Sequence, residues 1–187
     1  EIPASVMPPM TRWSYGRSSN EEIKSLANEL FGQTNSDRAK VVAEYRAALS
    51  EHKGDPEKGK AVFMKAACMT CHQLGGIGVE VGPPLADVRA KPAEALLTDI
   101  LDPNRAVEER WISTVVENKA GTSLSGLVFT DDDAGIALRL PGGVTQTVPR
   151  GEVKKFSTTG LSLMPVGLEA AITKEEMCDL IAFLKAR

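Results

Sequence analysis

Five consecutive residues, Cys68-Met69-Thr70-Cys71-His72, constrain this chain more than any other stretch. Two cysteines separated by two residues, with a histidine immediately after, form the attachment spacing of a c-type haem. The chemistry accounts for the spacing. Each thiol adds across one vinyl group of the porphyrin, giving two thioethers, and two intervening residues make a turn that lets both sulfurs reach one ring. The histidine then lies beneath the iron and can supply the proximal imidazole. Two blander readings are weaker. A redox-active CxxC is expected beside a βαβ pattern, whereas the residues before Cys68 read as helix. A zinc site needs four spread ligands, and only Cys178 and His52 remain, neither at zinc spacing.

The rest of the composition narrows the setting. A chain of 187 residues, 42% hydrophobic, holds one large or two small domains with a real core. A net charge of −3 gives no basic footprint for nucleic acid. No apolar run approaches the roughly 20 residues that span a bilayer. The chain begins at Glu1 without a methionine or a charged-then-apolar leader. Covalent haem attachment takes place outside the cytoplasm, so the expectation is a processed or excised piece of a periplasmic or otherwise exported protein. Cys178, left over from the pair, is expected buried in a helix.

Residues 1–18 read as an extended, proline-rich lead-in, either docked through Trp13 and Tyr15 or loosely packed. Ser19 with Glu22 forms a capping box. A helix carrying Ile23, Leu26, Ala27, Leu30 and Phe31 is expected to stop at Gly32. Ser36 opens a second helix with Val42, Tyr45 and Leu49 on one face. Asp55-Pro56 starts the next, an N-cap followed by proline at the first helical position. Its stripe is Gly59, Val62, Phe63, Ala66 and Ala67, and the glycine permits close approach by another helix. After His72 comes a glycine-rich loop, then Gly82-Pro83-Pro84-Leu85. The carbonyl of Pro83 can accept the remaining N–H of His72 and fix its ring plane. Pro92 opens a helix with Leu96, Leu97, Ile100 and Leu101 buried, ending at Asp102-Pro103.

The pattern then changes from helical spacing to alternation. Strands are expected at 112–118, 123–130, 135–140, 144–149 and 152–157, a β-meander with turns between. Asp131, Asp132 and Asp133 lack the spacing of an EF-hand and read as a solvated turn. Thr173 and Glu176 form a capping box, with Ile172 and Met177 as a hydrophobic staple, before a last helix that buries Met177, Leu180, Ile181 and Leu184.

With His72 on one face of the iron, the opposite face decides the chemistry. His52 sits on a charged stretch between Glu51 and Lys53 and reads as solvated. Of six methionines, Met64 and Met69 lie too close to the attachment site, Met177 is on a core stripe, and Met7 and Met10 fall in the lead-in. Met164, in a loop stiffened by Pro165, is the candidate axial ligand; a core gap-filler is the alternative.

These residues resemble a class I cytochrome c: Gly59 and Phe63, Cys68 to His72, Gly82-Pro83, Met164-Pro165, and a last helix with Leu180 and Phe183. The resemblance implies that the first and last helices cross beside the haem at Gly59, Phe63, Leu180 and Phe183. A narrower likeness rests on Gly82-Pro83-Pro84-Leu85, Leu101-Asp102-Pro103-Asn104, the β-rich stretch, and Ser162-Leu163-Met164-Pro165 with Gly167-Leu168. It resembles the haem-binding domain typical of planctomycetes and verrucomicrobia, over about residues 55–187. Such domains end long exported proteins, after dehydrogenase-like propellers and helical repeats.

The expected fold is therefore mainly α, a cytochrome c fold with an inserted β-meander at about 112–157, preceded by a short helical extension. Residues 1–54 are the junction to an upstream region and 55–187 the cytochrome unit. The expected site is Cys68, Cys71, His72, Pro83, Leu85 and Met164, with His72 and Met164 ligating the iron of one covalent haem c. The expected function is one-electron transfer, without substrate chemistry, between a fused or partner dehydrogenase and a respiratory acceptor. Two alternatives stand beside it. One is a haem sensor or peroxidase-like enzyme whose sixth ligand leaves, for which Arg105 and Arg110 are unspecific distal candidates. The other is a docking role for the β insert.

Overall fold

The structure, a computed structural model, describes residues 20–186, without the side chains of 27–37. The expectations for Met7, Met10, Trp13, Tyr15 and Ser19 lie outside the described residues. Helix α1 runs from Glu21 to Glu51 and is capped by Asn20, whose side chain accepts the N–H groups of Glu22 and Ile23 at 2.9 and 3.3 Å. The two helices expected here are one. Gly32 does not end α1 and Ser36 does not restart it. An interior glycine costs a helix only about 1 kcal/mol, too little to break it without a proline or a competing cap.

Three further helices follow: α2 (Pro56–Lys65), α3 (Ala93–Leu101) and α4 (Lys174–Lys185). Asp55 caps α2 by accepting the N–H groups of Glu57 and Lys58, and Pro56 fills the first helical position, where no N–H partner is required. The helix ends earlier than its apolar stripe, so Ala66 and Ala67 lie in the turn beyond it. Thr173 and Glu176 close a reciprocal capping box on α4. The helices share one core, in which Phe63, Leu97, Leu101, Ile172, Met177 and Leu180 are each at most 1% exposed. Burial of each such side chain is worth roughly 1.5–3 kcal/mol. Val42 and Tyr45 of α1 belong to that same core, so the helical core draws packing residues from before Asp55. Cys178 is buried and free.

Strands β1 (Gln73–Leu74) and β2 (Ile77–Gly78) form a small hairpin after the attachment motif. Five more build an antiparallel sheet: β3 (Ile112–Asn118), β4 (Ser123–Asp131), β5 (Gly135–Arg139), β6 (Thr145–Pro149) and β7 (Val153–Ser162). Their spatial order is β6-β5-β4-β3-β7. Val116, Ile136, Leu138 and Val148 make a second, smaller core on one face. The last strand runs five residues further than expected, because polar Thr158-Thr159-Gly160 reads as a turn. It instead pairs with β3 out to Ile112↔Ser162, across a register irregularity. The sheet also touches the attachment segment, where the N–H of Gly142 donates to the Thr70 carbonyl at 2.6 Å.

Candidate cofactor site

The cysteine turn is set by the way α2 ends. Ala67 adopts a left-handed conformation (φ +57°), the only non-glycine residue to do so among those described. A single 3₁₀ turn, Cys68–Thr70, follows. The N–H groups of Cys71 and His72 both bond to the Cys68 carbonyl, at 3.1 and 2.9 Å. The hydroxyl of Thr70 donates back to the Ala67 carbonyl at 2.7 Å. The turn therefore presents Cys68, Cys71 and His72 to one cavity.

His72 is oriented from behind. Its Nδ1 lies 2.9 Å from the Pro83 carbonyl oxygen. A carbonyl can only accept, so Nδ1 carries the proton and Nε2 keeps its lone pair. Burial lowers the His72 pKa, with the Pro83 bond opposing that shift. The imidazole is therefore held neutral, the form that ligates a metal. Gly82 makes the arrangement possible, because a β-carbon there would stand 2.8 Å from Cε1 and 3.2 Å from Nε2 of His72. Burial also pushes the Cys68 thiol up to about 11, so a free Cys68 stays protonated.

The cavity measures about 380 Å³, within the size range of small-molecule sites. Phe63, Leu96, Ile100 and Leu180 wall it from the helices, and Trp111 and Leu127 from the β-rich stretch. Pro83 and Leu85 line it on the histidine side, and Met164 lines it too. Met164 is half-buried against the helical core. Its N–H donates to Ser162 Oγ at 3.1 Å, and the Ser162 N–H donates to Asn104 Oδ1 at 2.8 Å. All six residues expected at the site thus line one cavity.

The donor set and its surroundings fit a haem. Two free thiols and a lone-pair-bearing imidazole sit side by side, glycine leaves room behind the ring, and the remaining walls are mostly apolar. Among the described residues, no group of three His, Cys, Asp or Glu side chains is placed to hold a metal ion. His52 lies outside the cavity lining, 3.7 Å from Glu175 at the surface. Met64 and Met69 are exposed, and Met177 is in the core. In the acidic turn, Asp132 Oδ1 accepts the N–H groups of Ala134 and Gly135, and the Arg150 guanidinium bonds Asp131 and the Asp132 carbonyl.

Sequence reasoning missed Trp111 and Leu127 as cavity walls, and Asn104 as the anchor of Ser162. No membrane-crossing helix, long and apolar enough, occurs among the described residues.

Residues 56–135 match the family model for cytochrome c. The match takes in α2, both cysteines, His72, Pro83 and Leu85, and ends before Met164 and α4. No curated protein matches the chain. The matched segment supports a c-type cytochrome, and its cofactor is haem c, covalently bound and iron-containing.

Proposed function

We propose that this chain transfers single electrons through one haem c held by Cys68 and Cys71, with His72 on one face of the iron and Met164 on the other. The observation that carries this reading is the shared cavity, lined by both cysteines, His72 and Met164. When bound, the haem supplies the one-electron chemistry, and the protein sets its potential and exposure. Pro83 holds the His72 ring plane and tautomer through Nδ1. Leu85 and the apolar walls keep water from the ring. A thioether opposite imidazole favours ferrous iron and raises the potential. Two fixed ligands leave no open position, so the proposed role involves no bond-making on a substrate.

The resemblance to the planctomycete and verrucomicrobial haem domain supports a dehydrogenase as donor, fused or separate, and a respiratory protein as acceptor, in an exported setting. In this reading residues 55–187 form the haem unit and the preceding residues join it to that donor.

Near-infrared and optical spectra of the holo-protein test the proposal. The ferric form is expected to show the weak sulfur-to-iron charge-transfer band, absent in Met164→Ala. The ferrous form is expected not to bind carbon monoxide, and Met164→Ala is expected to bind it and to show a lower potential. An unchanged band in Met164→Ala sinks the ligation. Rapid peroxide turnover or carbon monoxide uptake by the unaltered protein favours the sensor or peroxidase-like alternative.

A further inference from the structure

The loop bearing Met164 is fastened at both ends, and one fastening comes from an unexpected element. Upstream of Met164, Ser162 is tied to Asn104. Downstream, the chain passes Pro165 and Gly167 into a single 3₁₀ turn, Leu168–Ala170, and on to Ile172. That segment is gripped by α1. Arg38 Nη1 donates to Glu169 Oε1 at 2.8 Å, and Nη2 lies 2.7 Å from the same oxygen, off the hydrogen-bond direction. Glu169 Oε2 is buried without a hydrogen-bond partner. The Tyr45 hydroxyl donates to the Ile172 carbonyl at 2.7 Å and sits 3.3 Å from that of Glu169.

The pair is only 17% and 23% exposed. Poorly solvated, charge-assisted bonds of this kind are stronger than neutral ones. Removing one partner leaves the other charge stranded. The Arg38 charge also helps, after Arg105, to lower the pKa of buried Asp102. The start of α4 is closed separately by its own capping box.

We infer that Arg38 and Tyr45 of α1 are positioning residues for the Met164 sulfur, holding the 164–172 segment against the cavity that would take the haem. The inference rests on the ligation reading above. It places a control of the axial bond in a helix that precedes the matched cytochrome segment.

The test uses the ferric holo-protein with free imidazole as competitor for the iron. Imidazole binds only when the Met164 sulfur leaves, so its association rate reports how firmly the loop is held. Arg38→Gln and Tyr45→Phe are each expected to accelerate association about tenfold, the scale of one lost buried hydrogen bond. Arg38→Lys, which keeps the charge beside Glu169, is expected to restore most of the slow rate. Arg46→Gln on the same helix loses a surface ion pair with Glu94 and is expected to leave the rate unchanged. Wild-type rates in both Arg38→Gln and Tyr45→Phe, with the near-infrared band intact, overturn the inference. Equal acceleration by Arg46→Gln also overturns it, because helix docking alone would then be responsible. Should Arg38→Gln not retain its fold, Tyr45→Phe, which removes one oxygen, decides alone. Absence of the band from the unaltered protein is a different result, which removes the ligation reading itself.

Discussion

Gly59 of α2 lies directly against the backbone of Asp179 in α4. A β-carbon placed on Gly59 would overlap the Asp179 carbonyl and stand 2.7 Å from the Phe183 β-carbon. The two helices are locked at this contact on either side. Asp179 Oδ1 accepts the Asp55 N–H at 2.7 Å, and the Phe63 and Phe183 rings meet at 5.6 Å in a tilted pair.

Gly59→Ala is therefore expected to destabilise the protein despite improving helix propensity. The gain is about 1 kcal/mol, whereas overpacking costs roughly 1–3 kcal/mol and more where backbone must move. Denaturant unfolding of the holo-protein should show a net loss. An unchanged or raised midpoint would mean that the helices can separate without penalty.

Gly82→Ala carries the same argument to the cofactor. The added methyl meets the His72 ring rather than a helix, and the ring must tilt or the Pro83 bond must lengthen. The expected outcome is a lower yield of coloured protein and a larger high-spin fraction in the ferric spectrum. A wild-type spectrum at wild-type yield would contradict the close approach.

The attachment itself has a chemical test. Acid–organic extraction should leave the colour with the protein, and Cys68→Ala should still retain it through Cys71. Cys68→Ala combined with Cys71→Ala should release all of it. Release from the unaltered protein would exclude covalent linkage.

Asp102 is buried at the end of α3. Burial raises its pKa, while Arg105 and Arg38 pull it back down. A carboxyl whose folded pKa is raised binds its proton more readily folded than unfolded. Its contribution to stability therefore falls as pH rises through that range. Lowering the pH from about 7 toward 4 should thus stabilise the unaltered protein relative to Asp102→Asn. Glu176, held low by Lys65 and the Thr173 N–H, works in the opposite direction in both proteins and cancels in the comparison. A difference that shrinks or stays flat on acidification would show that the arginines, and not burial, dominate at Asp102.

Much of the helical part could be read from residue order because its signals are local. Asp55-Pro56 marks one helix start and Thr173 with Glu176 another, and each is satisfied within four residues. The strands were legible up to their turns, and β3 begins and ends as the alternation predicts. What escaped is long-range or weakly encoded. Gly32 carries a small helical penalty and cannot by itself specify a break. The extension of β7 depends on pairing with β3, some fifty residues earlier, and not on its own polar sequence. Tyr45 looked like any apolar position on a helix face. Its partner carbonyl belongs to Ile172, a separation no periodicity can reveal. That Cys68, Cys71 and His72 share one cavity could be anticipated because their spacing is short and local, whereas Trp111 and Leu127 need only be bulky and apolar.

The pairing of Ile112 with Ser162, and the Leu163 N–H reaching the Trp111 carbonyl at 3.4 Å, give the chain a single doorway into and out of the sheet. Topologically the sheet is a detour whose ends meet. Loop-closure entropy grows only by about 0.6 kcal/mol per doubling of length, and here the detour closes itself by its own hydrogen bonds. A short turn joining Trp111 to Leu163 would leave the threading of the helices unchanged. Excising the sheet at that doorway would keep the helical threading but remove the Leu127 wall of the cavity and the Gly142 bond to the Thr70 carbonyl.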